Sequence, residues 1–237
     1  MSYQTLIENK KSYESNQLFR GIRASLPIGI GYLPIAMTFG LLAKNAGLSL
    51  FQGSMMSAFV FAGASQFVAV NMISLGIGWL EIVLTTFVLN FRHFLMSASL
   101  TQRIKINNPL LPWLIGFGIT DESFSVASME KDKILNPSYL LGLNFSSYLF
   151  WVGGTFLGFL IAGALPPLIQ SSMGIALYAM FIGLLIPSVK KSAKIGLIAL
   201  FSALLNVIFA QFISSGWALV SGAVLAALIG ALLFKEV

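Results

Sequence analysis

Long apolar stretches, separated by short polar ones, follow one another along almost the whole chain. Stretches of about 20 apolar residues are typical of transmembrane helices. The pattern predicts an all-α polytopic membrane protein with about eight transmembrane helices, some of them kinked or broken. The predicted segments are roughly 25–43, 54–75, 79–101, 110–129, 138–162, 173–189, 193–213 and 216–234.

The same pattern divides the chain into two regions. Residues 1–24 are expected to form a polar cytoplasmic segment. It is either a short interfacial helix with Leu18, Phe19 and Ile22 on its apolar side, or a disordered tail. Residues 25–237 are expected to form a single transmembrane domain.

Composition excludes a water-soluble fold. Charged residues make up only 9% of the chain and hydrophobic residues 57%, whereas soluble domains average about 25% charged residues. The net charge of +6 does not indicate a nucleic-acid partner, because the basic residues occur in short groups between apolar segments. Such groups are typical of signals that orient a protein in the bilayer.

The lysines and arginines predict an orientation with both termini in the cytoplasm. If all eight segments cross, the cytoplasmic set is Lys10, Lys11, Arg20, Arg23, Lys131, Lys133, Lys190, Lys191, Lys194 and Lys235. The outer set is then Lys44, Arg103 and Lys105, of which the last two fit the positive-inside rule least well.

Two short echoes suggest an internal repeat. LFQGSM at 50–55 is similar to LIQSSM at 168–173, and LTTFVLN at 84–90 is similar to LFSALLN at 200–206. A 4+4 repeat would have the halves 25–130 and 138–234, and it would make Asn206 the counterpart of Asn90. Chance similarity between apolar sequences is the alternative. Transporters are commonly built from such repeats, with the substrate site at the repeat interface.

Charged residues inside the apolar segments are the first candidates for function, because charge at membrane depth costs at least ~2.5–3.5 kcal/mol per residue. They are Arg92, His93, Asp121 and Glu122. A protonatable carboxylate or histidine at this depth suits coupling to a proton gradient, so His93, Asp121 and Glu122 are candidates for proton coupling. Arg92 is expected to form a structural ion pair with Asp121 or Glu122. The alternative for the carboxylates is a purely static bridge.

Polar side chains also follow one face of the third segment, at Thr86, Asn90, His93 and Ser97. The stripe is expected either to line a substrate path or to hold helices together through hydrogen bonds. Asn90 and Asn206 are therefore candidate substrate-binding residues.

A run of small residues in the second segment predicts a helix break. Gly63, Ala64, Ser65 and Gln66 are candidate substrate-binding residues, because the N-terminus of a half-helix suits a substrate carboxylate. Plain small-residue packing is the alternative. Pro27 and Pro34 predict a kinked or broken first segment.

Several long motifs resemble the AzlC family, the large subunits of bacterial branched-chain amino acid exporters. They are FRGIRASLPIGIGYLPIAMTFGLLAKNAGLS, MSAFVFAGASQFVAV, LTTFVLNFRHFLMSASL, TDESF, YLLGLNFSSYLFWVGGTFLG and ALYAMFIGLLIP. The resemblance implies export of valine, leucine or isoleucine across a bacterial inner membrane, together with a small AzlD-type membrane subunit. Phe59, Met55 and Met56 are expected to line an apolar pocket for such a cargo, or to face lipid.

The expected function is therefore secondary transport driven by the proton gradient, without a cofactor or metal. No HExxH, GxSxG or P-loop pattern is present, so enzymatic activity is not expected. The alternatives are a passive channel for a small polar solute and a membrane scaffold subunit.

Overall fold

The computed structural model describes residues 3–105, 108–164, 166, 168, 176–213 and 215–233. These residues form ten α-helices and no β-strand: α1 (Tyr3–Asn45), α2 (Leu50–Val60), α3 (Gly63–Ser74), α4 (Trp79–Thr101), α5 (Leu111–Phe117), α6 (Asp121–Met129), α7 (Pro137–Ile161), α8 (Ala176–Lys191), α9 (Ala193–Phe209) and α10 (Ser215–Leu233). The all-α membrane fold is confirmed. Four described helical stretches are long and apolar enough to cross a bilayer: Glu14–Asn45, Trp79–Thr101, Pro137–Ala164 and Gly216–Leu233.

The first helix differs from the prediction at two points. It continues unbroken from Tyr3 through residues 3–24 into the first apolar segment, so this stretch is neither a separate helix nor a disordered tail. Pro27 and Pro34 lie inside the continuous helix, which excludes a break there, while a kink stays a prediction. Each proline lacks the N–H that would bond to the carbonyl four residues earlier, and membrane helices tolerate this loss where neighbouring groups take up the freed carbonyl.

Helices α1 and α7 pack closely and run in the same direction. A side chain at Gly40 would collide with the backbone of Thr155, and one at Gly158 would collide with the backbone of Met37. Glycine permits this approach because small residues allow membrane helices to come together. The two contacts are reciprocal. Gly40 and Gly158 are separated by the same number of residues as LFQGSM at 50–55 and LIQSSM at 168–173.

That geometry supports the repeat, which remains a prediction. The echo at 168–173 lies outside the described residues except for Leu168, and so do the first residues of the 173–189 segment.

Arg20 and Lys44 mark the two ends of the apolar part of α1, and they define the two ends of the fold, called the Arg20 end and the Lys44 end. At the Arg20 end, Arg20 Nη2 lies 2.9 Å from Glu130 Oε2. At the Lys44 end, Lys44 Nζ donates to Phe159 O at 3.5 Å. The contacts of α2, α3, α5 and α6 with α1 show at which of these two ends each helix begins or finishes.

Helices α2 and α3 form a re-entrant hairpin (hairpin 1, residues 50–74) that starts and finishes at the Lys44 end. Near its start, a Cβ at Gly53 would lie 3.4 Å from Ala43 Cβ. Its turn at Phe61 packs against Tyr32, in the middle of α1. The returning helix then places Phe67 against Phe39, back toward the Lys44 end.

Helices α5 and α6 form a second hairpin (hairpin 2, residues 111–129) from the opposite end. Its first helix lies beside Thr101 and Ile104, at the end of α4. Its turn at Thr120 reaches the Tyr32 hydroxyl. Its second helix ends beside Glu130, which pairs with Arg20. The two hairpins therefore enter from opposite ends and meet at the level of Tyr32.

The expectation that Arg103 lies on the opposite side from Lys131 is wrong. The Arg103 guanidinium donates to Glu130 O at 2.9 Å and to Asp132 O at 2.6 Å. A hydropathy window cannot distinguish one crossing from a hairpin of two half-helices. Helices α2 and α3 have 11 and 12 residues, and together they are as long as one full span of about 20 apolar residues.

Helices α9 and α10 pack antiparallel to one another, and α10 also packs against α4. A Cβ at Gly222 would lie 3.0 Å from Asn206 N, and one at Gly230 would lie 2.5 Å from Ile198 Cδ1. The backbone N–H of Gly216 donates to Glu81 Oε1 at 2.9 Å. Since Glu81 begins α4 at the Lys44 end, α10 starts at that end, and the N-terminus of α9, with Lys194, points toward the Arg20 end.

Candidate substrate site between two hairpin tips

The tip of hairpin 1 is held by the side chain of Gln66. Phe61 adopts a left-handed conformation with φ 41°, which ends α2, and Ala62 precedes α3 without a side-chain cap. Gln66 Oε1 accepts hydrogen bonds from Ala62 N at 3.1 Å and from Trp151 Nε1 at 3.0 Å. Its Nε2 donates to Ser57 Oγ at 3.0 Å. Gln66 is fully buried. Because its amide group bonds to Ala62, Ser57 and Trp151, this predicted substrate-binding residue instead stabilises the turn.

The tip of hairpin 2 is closed by a capping box. Thr120 Oγ1 accepts from Ser123 N at 3.2 Å, and Ser123 Oγ accepts from Thr120 N at 2.9 Å. This reciprocal arrangement satisfies two amides that a helix start otherwise leaves unpaired. Asp121 and Glu122 stand in the first turn of α6, where the helix dipole favours negative charge.

Tyr32 of α1 connects the two tips. Its hydroxyl donates to Glu122 Oε2 at 2.6 Å and lies 2.7 Å from Thr120 Oγ1. Its ring packs edge-on against Trp151, with centroids 5.3 Å apart, and against Phe61. Sequence reasoning missed Tyr32 and Trp151. The available signal was a polar tip on an aromatic ring in an apolar segment, since buried tyrosine and tryptophan usually find a hydrogen-bond partner.

Helix α4 contributes Arg92 and His93 to the region between the two tips. Arg92 Nη2 lies 3.0 Å from Asp121 Oδ2, with about a third of each side chain exposed (38% and 30%). Arg92 Nε is buried and has no hydrogen-bond partner among the described residues. The two carboxylates thus differ in partner: Asp121 faces a guanidinium, whereas Glu122 accepts from a neutral hydroxyl.

These groups surround a cavity of only about 30 Å³. The lining residues are Tyr32, Ile35, Phe61, Ala62, Gly63, Ala64, Arg92, His93, Thr120, Asp121, Glu122 and Trp151. A space of this size holds water rather than an amino acid. The tips are therefore closed on one another, and a larger ligand requires one of them to move.

The predicted site residues divide into three groups. Those that line the cavity are Gly63, Ala64, Arg92, His93, Asp121 and Glu122. Ser65 and Gln66 lie behind the tip of hairpin 1, where the Ser65 hydroxyl donates to Ala62 O. Asn90 Oδ1 is buried without a partner among the described residues. Asn206 packs against Gly222 of α10, and neither Asn206 nor Asn90 is part of the cavity lining.

The arrangement provides complementary groups for a zwitterion. The N-terminus of α3, at Gly63 and Ala64, presents backbone N–H groups and the positive end of a helix dipole. Glu122 provides a carboxylate across the cavity. Discontinuous helices with half-helix termini at mid-membrane are a recurring way to bind a small substrate in secondary transporters.

Comparison with known proteins assigns the chain to a family. The family model described as AzlC protein matches residues 27–165, which include both hairpins, α4 and α7. The chain belongs to the AzlC family. No solved structure matches it.

Relatives of this AzlC-family chain include named membrane proteins. An uncharacterized membrane protein of Archaeoglobus fulgidus is 35% identical over 175 residues, covering 72% of this chain and 76% of the relative. The inner membrane protein YgaZ of Escherichia coli is 34% identical over 178 residues, 71% of each chain. The branched-chain amino acid transport protein AzlC of Bacillus subtilis is 25% identical over 180 residues, covering 73% of this chain and 68% of the relative. A membrane transport role follows from this kinship.

Proposed function

We propose that this protein is the large subunit of a secondary transporter that exports branched-chain amino acids across a bacterial inner membrane, driven by the proton gradient. The observation that carries the proposal is the meeting of two opposed hairpin tips around Glu122 and the N-terminus of α3. The printed name of the Bacillus subtilis relative supports the cargo class.

Once one tip has moved to enlarge the cavity, the two charges of the cargo match the groups that line it. Its carboxylate binds the amides of Gly63 and Ala64, and its ammonium group binds Glu122. The aliphatic side chain lies against the rings of Phe61 and Trp151, which replace Phe59, Met55 and Met56 as the apolar wall. Phe59 is 75% exposed and is absent from the cavity lining, which favours the lipid-facing alternative for that residue.

Proton coupling is assigned to Glu122 rather than to Asp121. Asp121 is neutralised by Arg92 at 3.0 Å, and this bridge holds hairpin 2 to α4. Glu122 can exchange its hydrogen bond from Tyr32 for a proton or for the ammonium group of the cargo. Because Glu122 binds either the proton or the cargo but not both, the movement of protons is coupled to the movement of the cargo. His93 also lines the cavity and is the second candidate for the proton path.

The hairpin topology supports an orientation with the Arg20 end in the cytoplasm. Arg20, Arg103 and the 130–133 loop meet at that end, and the N-terminus of α9 with Lys194 points toward it. Among the described basic residues, Lys44 is then alone at the other end, while Arg92 lies within the membrane. This distribution agrees with the positive-inside rule better than eight full crossings do, and it keeps both termini in the cytoplasm.

A small AzlD-type membrane subunit is proposed as the partner. Helix α4 crosses the protein with a largely uncovered outer surface, on which Phe87, Phe91 and Phe94 are exposed. The whole complex is therefore the right material for a transport assay.

The decisive experiment measures counterflow of labelled leucine in proteoliposomes that contain the chain with its partner. Saturable counterflow, and uphill accumulation after a pH gradient is imposed, are expected. Unsaturable flux would instead indicate the passive channel. An intact complex without any flux would indicate the scaffold. Accumulation that ignores the pH gradient would refute the proton coupling while leaving the carrier intact.

A further inference from the structure

A second cavity, of about 230 Å³, lies between α4 and α5 on the Arg20 side of the tips. It is lined by Ser97, Thr101, Ile104, Pro112, Ile115, Gly116 and Ile119. Its position differs from that of the small central cavity, but the two are adjacent along hairpin 2. Ile119 lines the larger cavity, and the next residue, Thr120, lines the central one.

The two walls of this cavity differ in chemistry. The α4 wall presents the hydroxyl-bearing residues Ser97 and Thr101, which continue the polar face from His93 of the central cavity at helical spacing. The opposite wall is aliphatic, with Ile115 and Ile119. Such a lining suits a small molecule that has charged groups on one side and a branched hydrocarbon chain on the other.

Ile119 lies where the chain passes from the larger cavity to the central one. Ile119 is only 4% exposed, and Ile115, one helical turn earlier, is 2% exposed. Toward the Lys44 end, in contrast, the tip of hairpin 1 is held by a chain of hydrogen bonds among Gln66, Ser57 and Thr155, all fully buried. The side chains at this boundary on the Arg20 side are therefore apolar, whereas the tip on the Lys44 side is held by hydrogen bonds.

We propose that the cavity between α4 and α5 is the passage by which the cargo moves between the central site and the Arg20 side, and that Ile119 closes it. This inference rests on the proposed transport function. It adds the route to that function, with Ser97, Gly116 and Ile119 as the residues that control passage.

The absence of cysteine from the chain makes a direct test available. Ser97→Cys is prepared in the complete complex and treated with a membrane-impermeant, positively charged methanethiosulfonate, in inside-out and right-side-out vesicles. The thiolate forms a mixed disulfide with the reagent and methanesulfinate leaves, so a reductant can reverse the modification. Labelling of this chain is read by its mass shift. Ser74→Cys, exposed at the end of α3, is the matched control.

Ser97→Cys is expected to react from the Arg20 side only. Its modification should lower leucine counterflow by about tenfold or more, equivalent to about 1.4 kcal/mol, and a reductant should restore it. Ser74→Cys should react from the Lys44 side with counterflow unchanged. Because the reagent acts on folded protein, a loss that reductant reverses is not a folding defect. Labelling of Ser97→Cys from the Lys44 side, or labelling without loss of counterflow, would overturn the passage.

A pair of glycine substitutions tests the same route without chemical modification. Gly116→Leu places a side chain into the cavity, where the nearest atom to a Cβ is Ser97 Oγ at 3.9 Å. Gly153→Leu adds the same side chain to α7, at a position with no neighbouring atom among the described residues within 4 Å. Counterflow should fall in the first variant only. Equal rates in the two variants would contradict the passage while leaving the transport function standing.

Ile119→Ala tests the barrier itself. Cargo is expected to leak down its gradient faster than in the unmodified complex, whereas Ile30→Ala, at a side chain that is 74% exposed on α1, should not leak. The same leak in both variants would show that Ile119 is not the closing residue. If no branched-chain amino acid is transported at all, the proposed function fails, and the sidedness of Ser97→Cys labelling still decides whether the passage exists.

Discussion

Hairpin 1 and hairpin 2 have the same plan, in which a short helix enters, turns at the level of Tyr32 and leaves by the end where it entered. Their tips differ in chemistry. The tip of hairpin 1 carries Gly63 and Ala64 and is held by the buried amide of Gln66. The tip of hairpin 2 carries Asp121 and Glu122 and is held by its own capping box. One tip is thus fastened to α7, and the other carries its own support and the charge.

The difference indicates how two similar hairpins can have separate duties. Moving a tip that is bonded to another helix by buried hydrogen bonds costs free energy. Each broken bond leaves a buried polar group unpaired, which is unfavourable by about 1–3 kcal/mol. The tip of hairpin 2 also contacts Tyr32 and Arg92, but its capping box moves with it, and Glu122 can exchange its hydrogen bond from Tyr32 for one from the cargo. Hairpin 2 is therefore expected to be the moving element and hairpin 1 the fixed support.

The largest effect is expected from Glu122→Gln, which removes the charge from the tip of hairpin 2 while preserving its shape. Uphill leucine accumulation should fall to the level found without a pH gradient, because the tip can no longer exchange a proton for the cargo. Counterflow without a gradient should fall less, because the amide can still accept a hydrogen bond from the ammonium group of the cargo. The measurement is accumulation in proteoliposomes with an imposed pH gradient.

Glu130→Gln is the matched control for Glu122→Gln, because Glu130 pairs with Arg20 at the partly exposed end of the fold. Its accumulation should resemble that of the unmodified complex, as exposed ion pairs contribute little. Undiminished accumulation in Glu122→Gln would contradict the coupling role of this carboxylate.

Gln66→Leu should produce the largest loss of stability. It removes the partner of Ala62 N and of Trp151 Nε1, at a cost of about 2–6 kcal/mol for two unpaired buried groups. Thermal unfolding of the complex in detergent is the measurement. Gln52→Leu, in the exposed capping box at the start of hairpin 1, should cost only about 1 kcal/mol. Similar melting temperatures for the two variants would mean that Gln66 does not fasten the tip.

Tyr32→Phe should weaken the connection between the tips without removing the ring. A hydrogen bond to a carboxylate contributes about 1.5–3 kcal/mol, so coupled transport should fall by roughly tenfold. Tyr148→Phe removes a hydroxyl that bonds to the backbone at Ala58 O, and it should leave the coupling intact. Initial rates at several imposed pH gradients distinguish the variants. A loss of coupling in both would point to ring packing instead.

The smallest effect is expected from two serines at equivalent positions, each the third residue of its returning helix. Ser123→Ala removes one half of the capping box at hairpin 2 and should cost about 1 kcal/mol. Ser65→Ala removes only a bond to Ala62 O, so its cost should be smaller. Thermal unfolding of the two variants is compared directly. A larger loss for Ser65→Ala would reverse the assignment of hairpin 2 as the self-supporting tip.

Much of the fold could be predicted because apolar length and polar interruption are local properties of the chain. The predicted segment 79–101 has the same bounds as α4, and the run from Gly63 to Gln66 does follow a helix break. The return of each hairpin could not be predicted. Whether a broken apolar segment continues or turns back depends on the packing of Phe67 on Phe39 and of Glu130 on Arg20, and these are contacts between residues far apart in sequence.

The candidate site was predicted in part for the same reason. Charge within an apolar segment is visible at once, which identified Arg92, His93, Asp121 and Glu122. Tyr32 and Trp151 were missed, because an aromatic residue in an apolar helix has the same appearance whether it faces lipid or a cavity. Gln66 was assigned to the substrate, whereas its amide is occupied by three protein groups.

The sequence by itself determined that the protein lies in a membrane, that it is helical, and that a few charged residues lie at depth, because hydropathy and charge act residue by residue. Only the tertiary structure decided which of these residues meet. It brought the two tips together from opposite ends of the fold, paired Asp121 with Arg92 and Glu122 with Tyr32, and placed Arg103 beside Arg20. Those outcomes depend on helix packing between distant segments, where glycine contacts and buried hydrogen bonds select one arrangement among several that the apolar pattern allows.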